Sequence, residues 1–193
     1  MNRLEYLKKH LNPGRVYRRA DLAQWSKSVD RHAQVLVETG VLKKLQNGLY
    51  YYPKQSSFGP VPAEERALVR SFLKEDNFLL TSLNTYSALS TGITQLYNVH
   101  VVYNHKRHGR FTLGGQTFEF RNKHRFPNKL TEEFLLVDLI NNLSTLAEDR
   151  ETLRVRVQNK AKKMDPKRLR SAVRKYGKVS TQRFFKQALA DAT

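Results

Sequence analysis

Lys27, Ser28, Arg31 and Gln34 each carry a group that can meet nucleic acid, and Arg31 and Gln34 stand three residues apart. An arginine fork reaches O6 and N7 of guanine, and a glutamine amide pairs with N6 and N7 of adenine. Lysine and serine reach phosphate oxygens, which position a protein without reading sequence. Lys43, Lys44 and Asn47 follow, with Arg18 and Arg19 upstream as further phosphate contacts. The expected DNA-facing set is therefore Arg18, Arg19, Lys27, Ser28, Arg31, Gln34, Lys43, Lys44 and Asn47. Two other readings fit the same pattern. One is an ordinary helix and hairpin with a solvated charged face, and the other is a helix-turn-helix unit that binds protein.

Catalytic chemistry finds less support. His100, His105, His108 and His124 are the residues that raise a metal site. His105 and His108 flank Lys106 and Arg107, whose charge opposes a cation, and no carboxylate stands at ligand spacing. The densest acidic group is Glu132, Glu133 and Asp138. The first two suit the start of a helix, where the dipole favours anions, and Asp138 is expected to be exposed on that helix. Neither a phosphate-binding Gly-rich loop, a nucleophile elbow nor an HExxH pair occurs. The expectation is a non-enzyme with no catalytic residue, no metal and no cofactor. A nucleic-acid-processing enzyme is the contrasting hypothesis.

The elements that must hold the first set can be read from Ser26 to Tyr52, SKSVDRHAQVLVETGVLKKLQNGLYYY. Val29, Ala33, Leu36 and Val37 recur at helical spacing, with Ser28 expected to cap the first turn. Gly40 stops the helix. Val41 to Leu45 reads as a strand, and Asn47-Gly48 as a turn with positive φ at both positions. Leu49 to Tyr52 returns as the partner strand. Upstream, Arg3–Leu11 and Asp21–Trp25 read as helices around a short extended Val16-Tyr17. Helix, strand, helix, helix and hairpin outline a winged helix-turn-helix, whose recognition helix, here the third, enters the major groove.

The expected class is α+β. Residues 1–53 form the winged helix and 54–62, rich in Pro, Gly and Ser, a linker. Residues 63–193 form a second α+β domain. There Pro62 suits the first turn of a helix. Alternating Tyr97, Val99, Val101 and Tyr103 suggest a half-buried strand. Gly114-Gly115 joins two further strands, giving a small antiparallel sheet over about 97–121. Thr131 and Asp165-Pro166 read as helix starts, and Val179, Ser180 and Phe184 as a staple around the last one. A helical, basic region runs from about 131 to 193.

The chain has 193 residues, 35 Lys plus Arg against 17 Asp plus Glu, and no Cys, so its formal charge is +18. Residues 1–60 carry +7, 61–150 carry +1, and 151–193 carry +10. Two basic ends around a near-neutral middle suggest two polyanion-facing surfaces. Nucleic acid is favoured over an anionic membrane, because counterion release rewards clustered Lys and Arg. The dense band Lys160, Lys162, Lys163, Lys167, Arg168, Arg170 and Arg174 is the second surface, unless it is simply a solvated face. Absence of cysteine and of any signal-like apolar run leads to a cytoplasmic expectation, without a membrane partner.

Two stretches carry a family resemblance. Glu38-Thr39-Gly40-Val41-Leu42-Lys43-Lys44-Leu45 through Gly48-Leu49-Tyr50 is similar to the winged-helix end of the AbiEi antitoxins. Tyr86-Ser87-Ala88-Leu89 with Gly92-Ile93, followed by Asn98 to Tyr103, resembles that family's second domain. These are the antitoxin and autoregulator halves of AbiE-type toxin–antitoxin pairs in bacterial phage defence. The resemblance spans roughly residues 1–145 by element order. It implies that the winged helix binds operator DNA and represses the operon. It further implies that the C-terminal domain neutralises a nucleotidyltransferase-type toxin. The basic band would then meet the toxin, its RNA target or more DNA, and deleting residues 151–193 would leave operator recognition largely intact but remove toxin neutralisation. A winged-helix regulator whose second domain senses a ligand or oligomerises is the alternative.

Overall fold

A computed structural model of the chain describes residues 3–190. The class is mixed α+β, with several helices and small antiparallel sheets. The chain divides into two compact units. The first holds the described residues up to Asn77 with Lys106–Phe120, and the second holds Phe78–His105 with those from Arg121 onward. The Pro-rich stretch 54–62 thus falls inside the first unit.

In the first unit α1 (Arg3–Lys9), β1 (Val16–Arg18), α2 (Arg19–Ala23) and α3 (Val29–Glu38) precede β2 (Lys43–Gln46) and β3 (Leu49–Tyr51). β3 is the middle strand, antiparallel to both β1 and β2. Leu7, Leu22, Leu36 and Leu42 are all but sealed from water and form one core with Tyr17, Val29 and Ala33. Trp25 packs partly buried against the same cluster. Burial of this kind is worth about 1.5–3 kcal/mol per large aliphatic side chain, so these residues fix the helices on the sheet.

After β3, β4 (Gln55–Ser56) and β5 (Gly59–Pro60) form a small antiparallel pair. Tyr51 Oη donates to the Val61 carbonyl at 2.9 Å and ties down its far end. The helix that follows, α4 (Glu65–Leu73), begins three residues beyond Pro62 with Glu64 at its cap. Pro62 therefore does not occupy the first turn expected of it.

Strands β8 (Gly109–Leu113) and β9 (Gln116–Asn122) pair antiparallel across Gly114-Gly115. In this unit Phe72 of α4 meets Phe111 and Phe120, each at 5.0 Å between ring centroids. Gly114 has φ +59°, and a Cβ there would lie 2.9 Å from Leu45 Cδ2. We expect Gly114→Ala to lower stability by about 1–2 kcal/mol, chiefly from the left-handed backbone, since a leucine methyl can yield. Urea denaturation followed through the single tryptophan, Trp25, reads this unit. A change under about 0.3 kcal/mol would show that the turn adapts.

In the second unit β6 (Leu79–Ser82) pairs antiparallel with β7 (Val99–Asn104). A 3₁₀ segment, Leu83–Leu89, leaves β6. The central helix α5 (Glu132–Asn141) begins where Thr131 Oγ1 accepts from the Phe134 N–H at 3.2 Å. Around it lie α6 (Arg150–Ala161), α7 (Pro166–Tyr176) and α8 (Val179–Ala190). Leu136, Leu139, Val157, Leu169 and Phe185 are almost fully buried in the shared core. The basic tail is therefore structural as well as charged, because α6, α7 and α8 supply much of that core.

Three further local expectations differ from the fold. Val101 through Asn104 are all buried, so β7 is covered on both faces instead of one. Helix α8 starts at Val179, which is 67% exposed, so that side chain does not act as a staple. Asp138 is 4% exposed and lies within the core. Among the described residues no helix is long and apolar enough to cross a membrane.

Candidate nucleic-acid interface

Helix α3 buries Val29, Ala33 and Leu36 and leaves Asp30, Arg31, Gln34 and Glu38 outward. Arg31, Gln34 and Glu38 stand at successive helical turns, so they form a single stripe. Ser28 occupies the cap position, but its side chain accepts no bond from the helix. The local polar contact is made by Ser26 instead, whose Oγ lies 2.8 Å from His32 Nδ1. The helix ends at Gly40, with φ +72°, and the Leu42 N–H returns to the Leu36 carbonyl at 2.9 Å. That return brings the next strand directly off the helix end.

Lys43 and Lys44 open β2 with exposed side chains, opposite Tyr51 and Tyr50 of β3. The register shifts between Lys44 and Gln46. In the turn, Gly48 alone takes positive φ, at +71°, and Asn47 does not. A bulge of this kind re-aims the strand end and relieves Asn47 of the left-handed conformation. The Arg19 N–H donates to the Gly48 carbonyl at 2.8 Å, which anchors the turn to the start of α2.

The expected contact residues fall into two sets. Arg18 gives its guanidinium to Asp21, with Nη2 3.0 Å from Oδ1, and the Arg18 N–H donates to the same carboxylate. Asp21 thereby caps α2. Arg19 makes a fork to Asp30 at 2.7 and 2.6 Å, joining the starts of α2 and α3. That pairing holds the Asp30 carboxyl below its ordinary range and raises the guanidinium. Gln34 donates to Glu38 at 2.8 Å. By contrast Lys27, Arg31, Lys43 and Lys44 are exposed and have no carboxylate partner among the described residues. Ser28 and Asn47 are exposed as well.

On the second unit, Lys162, Lys163, Lys167, Arg168, Arg170 and Arg174 are exposed along the end of α6 and the length of α7. Lys160 is the exception, half-buried and 3.7 Å from Glu132. Asp165 starts α7 by accepting from the Lys167 and Arg168 N–H groups at 2.8 and 2.9 Å. Those bonds lower its carboxyl pKa. Arg170 and Arg174 rim a hollow of about 370 Å³ floored by Val173, Phe185 and Leu189.

A buried polar cluster escaped the sequence reading. Tyr86 and Tyr103 each donate a hydroxyl to Asp138 at 2.7 Å. Asn142 Nδ2 donates to Tyr86 Oη at 2.9 Å and to the Asp138 carbonyl at 2.8 Å. Arg121 Nη1 reaches Asn142 Oδ1 at 2.7 Å. Burial drives the Asp138 carboxyl upward, and the two tyrosine bonds only partly offset it. The one available signal was Asp138 and Asn142 four apart on a helix otherwise apolar around its girth. Among the described residues, no group of three or more His, Asp or Glu is arranged to hold a metal ion.

Comparison of the chain with protein-family models, curated proteins and solved structures finds no match.

Proposed function

We propose that this chain is a cytoplasmic DNA-binding antitoxin and autorepressor of the AbiE kind. In this reading residues 1–53 are a winged helix-turn-helix. Support comes from the element order α1, β1, α2, α3, β2, β3 with β3 central in its sheet. α3 enters the major groove and the β2–β3 turn lies along the adjoining backbone. The observation that carries this is a set of four exposed cations, Lys27 and Arg31 at the start of α3 and Lys43 and Lys44 on β2. None has a carboxylate partner among the described residues. Unpaired cations keep their full counterion-release gain, whereas a paired arginine must first give up its carboxylate. Arg19 and Arg18 are therefore secondary contacts, and Arg31 the main reader.

The second unit would neutralise the toxin, a nucleotidyltransferase encoded beside it, through the band on α6 and α7. Deleting residues 151–193 is a poor test, because it removes about a third of the buried residues of that unit's core. Charge reversal on the surface is better. We expect Lys162→Glu, Lys163→Glu and Lys167→Glu together to abolish growth rescue against the co-expressed toxin, while operator binding stays within about threefold. Rescue that survives all three changes counts against the band.

The whole reading is tested by binding of the purified chain to duplex DNA from its own promoter. Affinity should fall steeply with salt and exceed that for random duplex. Operator binding without any toxin beside it would move the reading to a winged-helix regulator with a sensing or oligomerising second domain.

A further inference from the structure

The second unit holds a groove of about 520 Å³, walled by α5, α6, α8 and the short turn between α5 and α6. Arg150, Arg154, Lys178 and Arg183 line it, and among the described residues no carboxylate does. This set is separate from the basic band of α6 and α7. Lys178 is held in place: its N–H donates to Asn141 Oδ1 at 2.9 Å and its Nζ to the Asn141 carbonyl at 2.8 Å. Arg154 lies 5.8 Å from the Phe184 ring centre. Its acidic neighbour, Glu151, is 3.7 Å away, 83% exposed and outside the lining. Arg150 and Arg183 are exposed with no carboxylate partner among the described residues.

Converging four cations on one concavity costs repulsion unless an anion occupies it. Curved walls of protein focus the field there and raise the local anion concentration. Three arginine forks suit planar and tetrahedral oxyanions, and phosphate oxygens accept several such bonds at once. The hydroxyls of Ser144 and Ser180 add neutral donors to the wall. The space accommodates a few phosphate groups, whereas a duplex needs a broad open face.

We propose that this groove binds an oligophosphate, either the triphosphate of a nucleotide or the backbone of a single RNA strand. It does not rest on the DNA-binding reading, which concerns the other unit. The test titrates the full chain with inorganic tripolyphosphate, ATP, a short single-stranded RNA and a duplex DNA, at two salt concentrations. Salt-sensitive binding of tripolyphosphate or ATP identifies a free nucleotide, and preference for the RNA identifies a strand. The variant R150A/R183A should weaken the best of these roughly tenfold or more, as loss of two charge-assisted contacts implies. The variant R150K/R183K, which keeps the charge but loses the forks, should restore only part of it, and K9A/K129A, at two exposed lysines away from the groove, should leave it within about twofold. Both groove arginines are exposed and lack a carboxylate partner among the described residues, so circular dichroism of R150A/R183A should match the parent chain. The proposal is overturned if no probe binds more tightly than about millimolar, or if R150A/R183A binds as well as the parent. It is equally overturned if duplex DNA loses as much as the RNA and the polyphosphates.

Discussion

Replacing Asp138 with alanine should destabilise the second unit by about 3–5 kcal/mol, the largest effect expected of any single polar substitution in the chain. The carboxylate accepts from Tyr86 and Tyr103, both at 2.7 Å, inside the core. Alanine leaves two buried hydroxyls without their acceptor, and each unsatisfied group costs about 1–3 kcal/mol. Tyr103→Phe removes one donor but leaves Tyr86 and Asn142 in place, so about 1 kcal/mol is expected. Amide exchange along α5 and urea denaturation followed by circular dichroism measure both, because Trp25 reports on the other unit. A loss below about 1 kcal/mol for Asp138→Ala would mean that water enters and takes over the hydroxyls.

The same carboxyl sets a pH dependence of known sign. Its folded-state pKa is raised by burial, above that of the unfolded chain. As pH climbs from the ordinary carboxylate range through the raised value, the unfolded chain has already released its proton and the folded chain releases one at a cost. Stability from this group therefore declines over that window and then levels off. Asn at position 138 has no such proton. The stability difference between the parent chain and Asp138→Asn should thus shift against the parent as pH rises from about 4. A pH-independent difference would show the carboxyl to have an ordinary pKa in the fold.

Arg31→Ala is expected to weaken operator binding by about 1–3 kcal/mol, roughly five- to 150-fold, if the fork meets a guanine. The loss should be confined to the operator and relax the preference at one base pair. Lys44→Ala is a useful contrast: a phosphate contact weakens specific and random duplexes alike and lowers the salt slope by about one. Arg19→Ala should do less than Arg31→Ala at the DNA, since its guanidinium is already satisfied by Asp30. Filter binding or fluorescence anisotropy over a salt series separates the three. Equal loss on both duplexes for Arg31→Ala would reassign it to the phosphates.

Local patterns in the chain were sufficient for what depends on near neighbours. Val29, Ala33 and Leu36 at helical spacing set the buried face of α3, and Gly40 its end. Thr131 and Asp165-Pro166 start their helices as their chemistry requires, because a cap acts within three residues. The Gly114-Gly115 hairpin was legible for the same reason. Near misses also lie at this range: Ser28 stands at the cap without bonding the helix, and Asn47 avoids positive φ because a bulge absorbs the turn.

Tertiary structure decided the polar partners. Arg19 and Asp30 are eleven residues apart, and Asp138 lies 52 residues from Tyr86 and 35 from Tyr103. No periodicity encodes such pairings, because a charged side chain reads as solvent-facing until a distant donor makes its burial tolerable. The tail shows the same limit from the other side. Its cations were countable, yet only packing against α5 turns their helices into core and closes the groove around Arg150 and Arg183. Charge is summed along a chain, but a binding surface exists only where folding brings unpaired charges together.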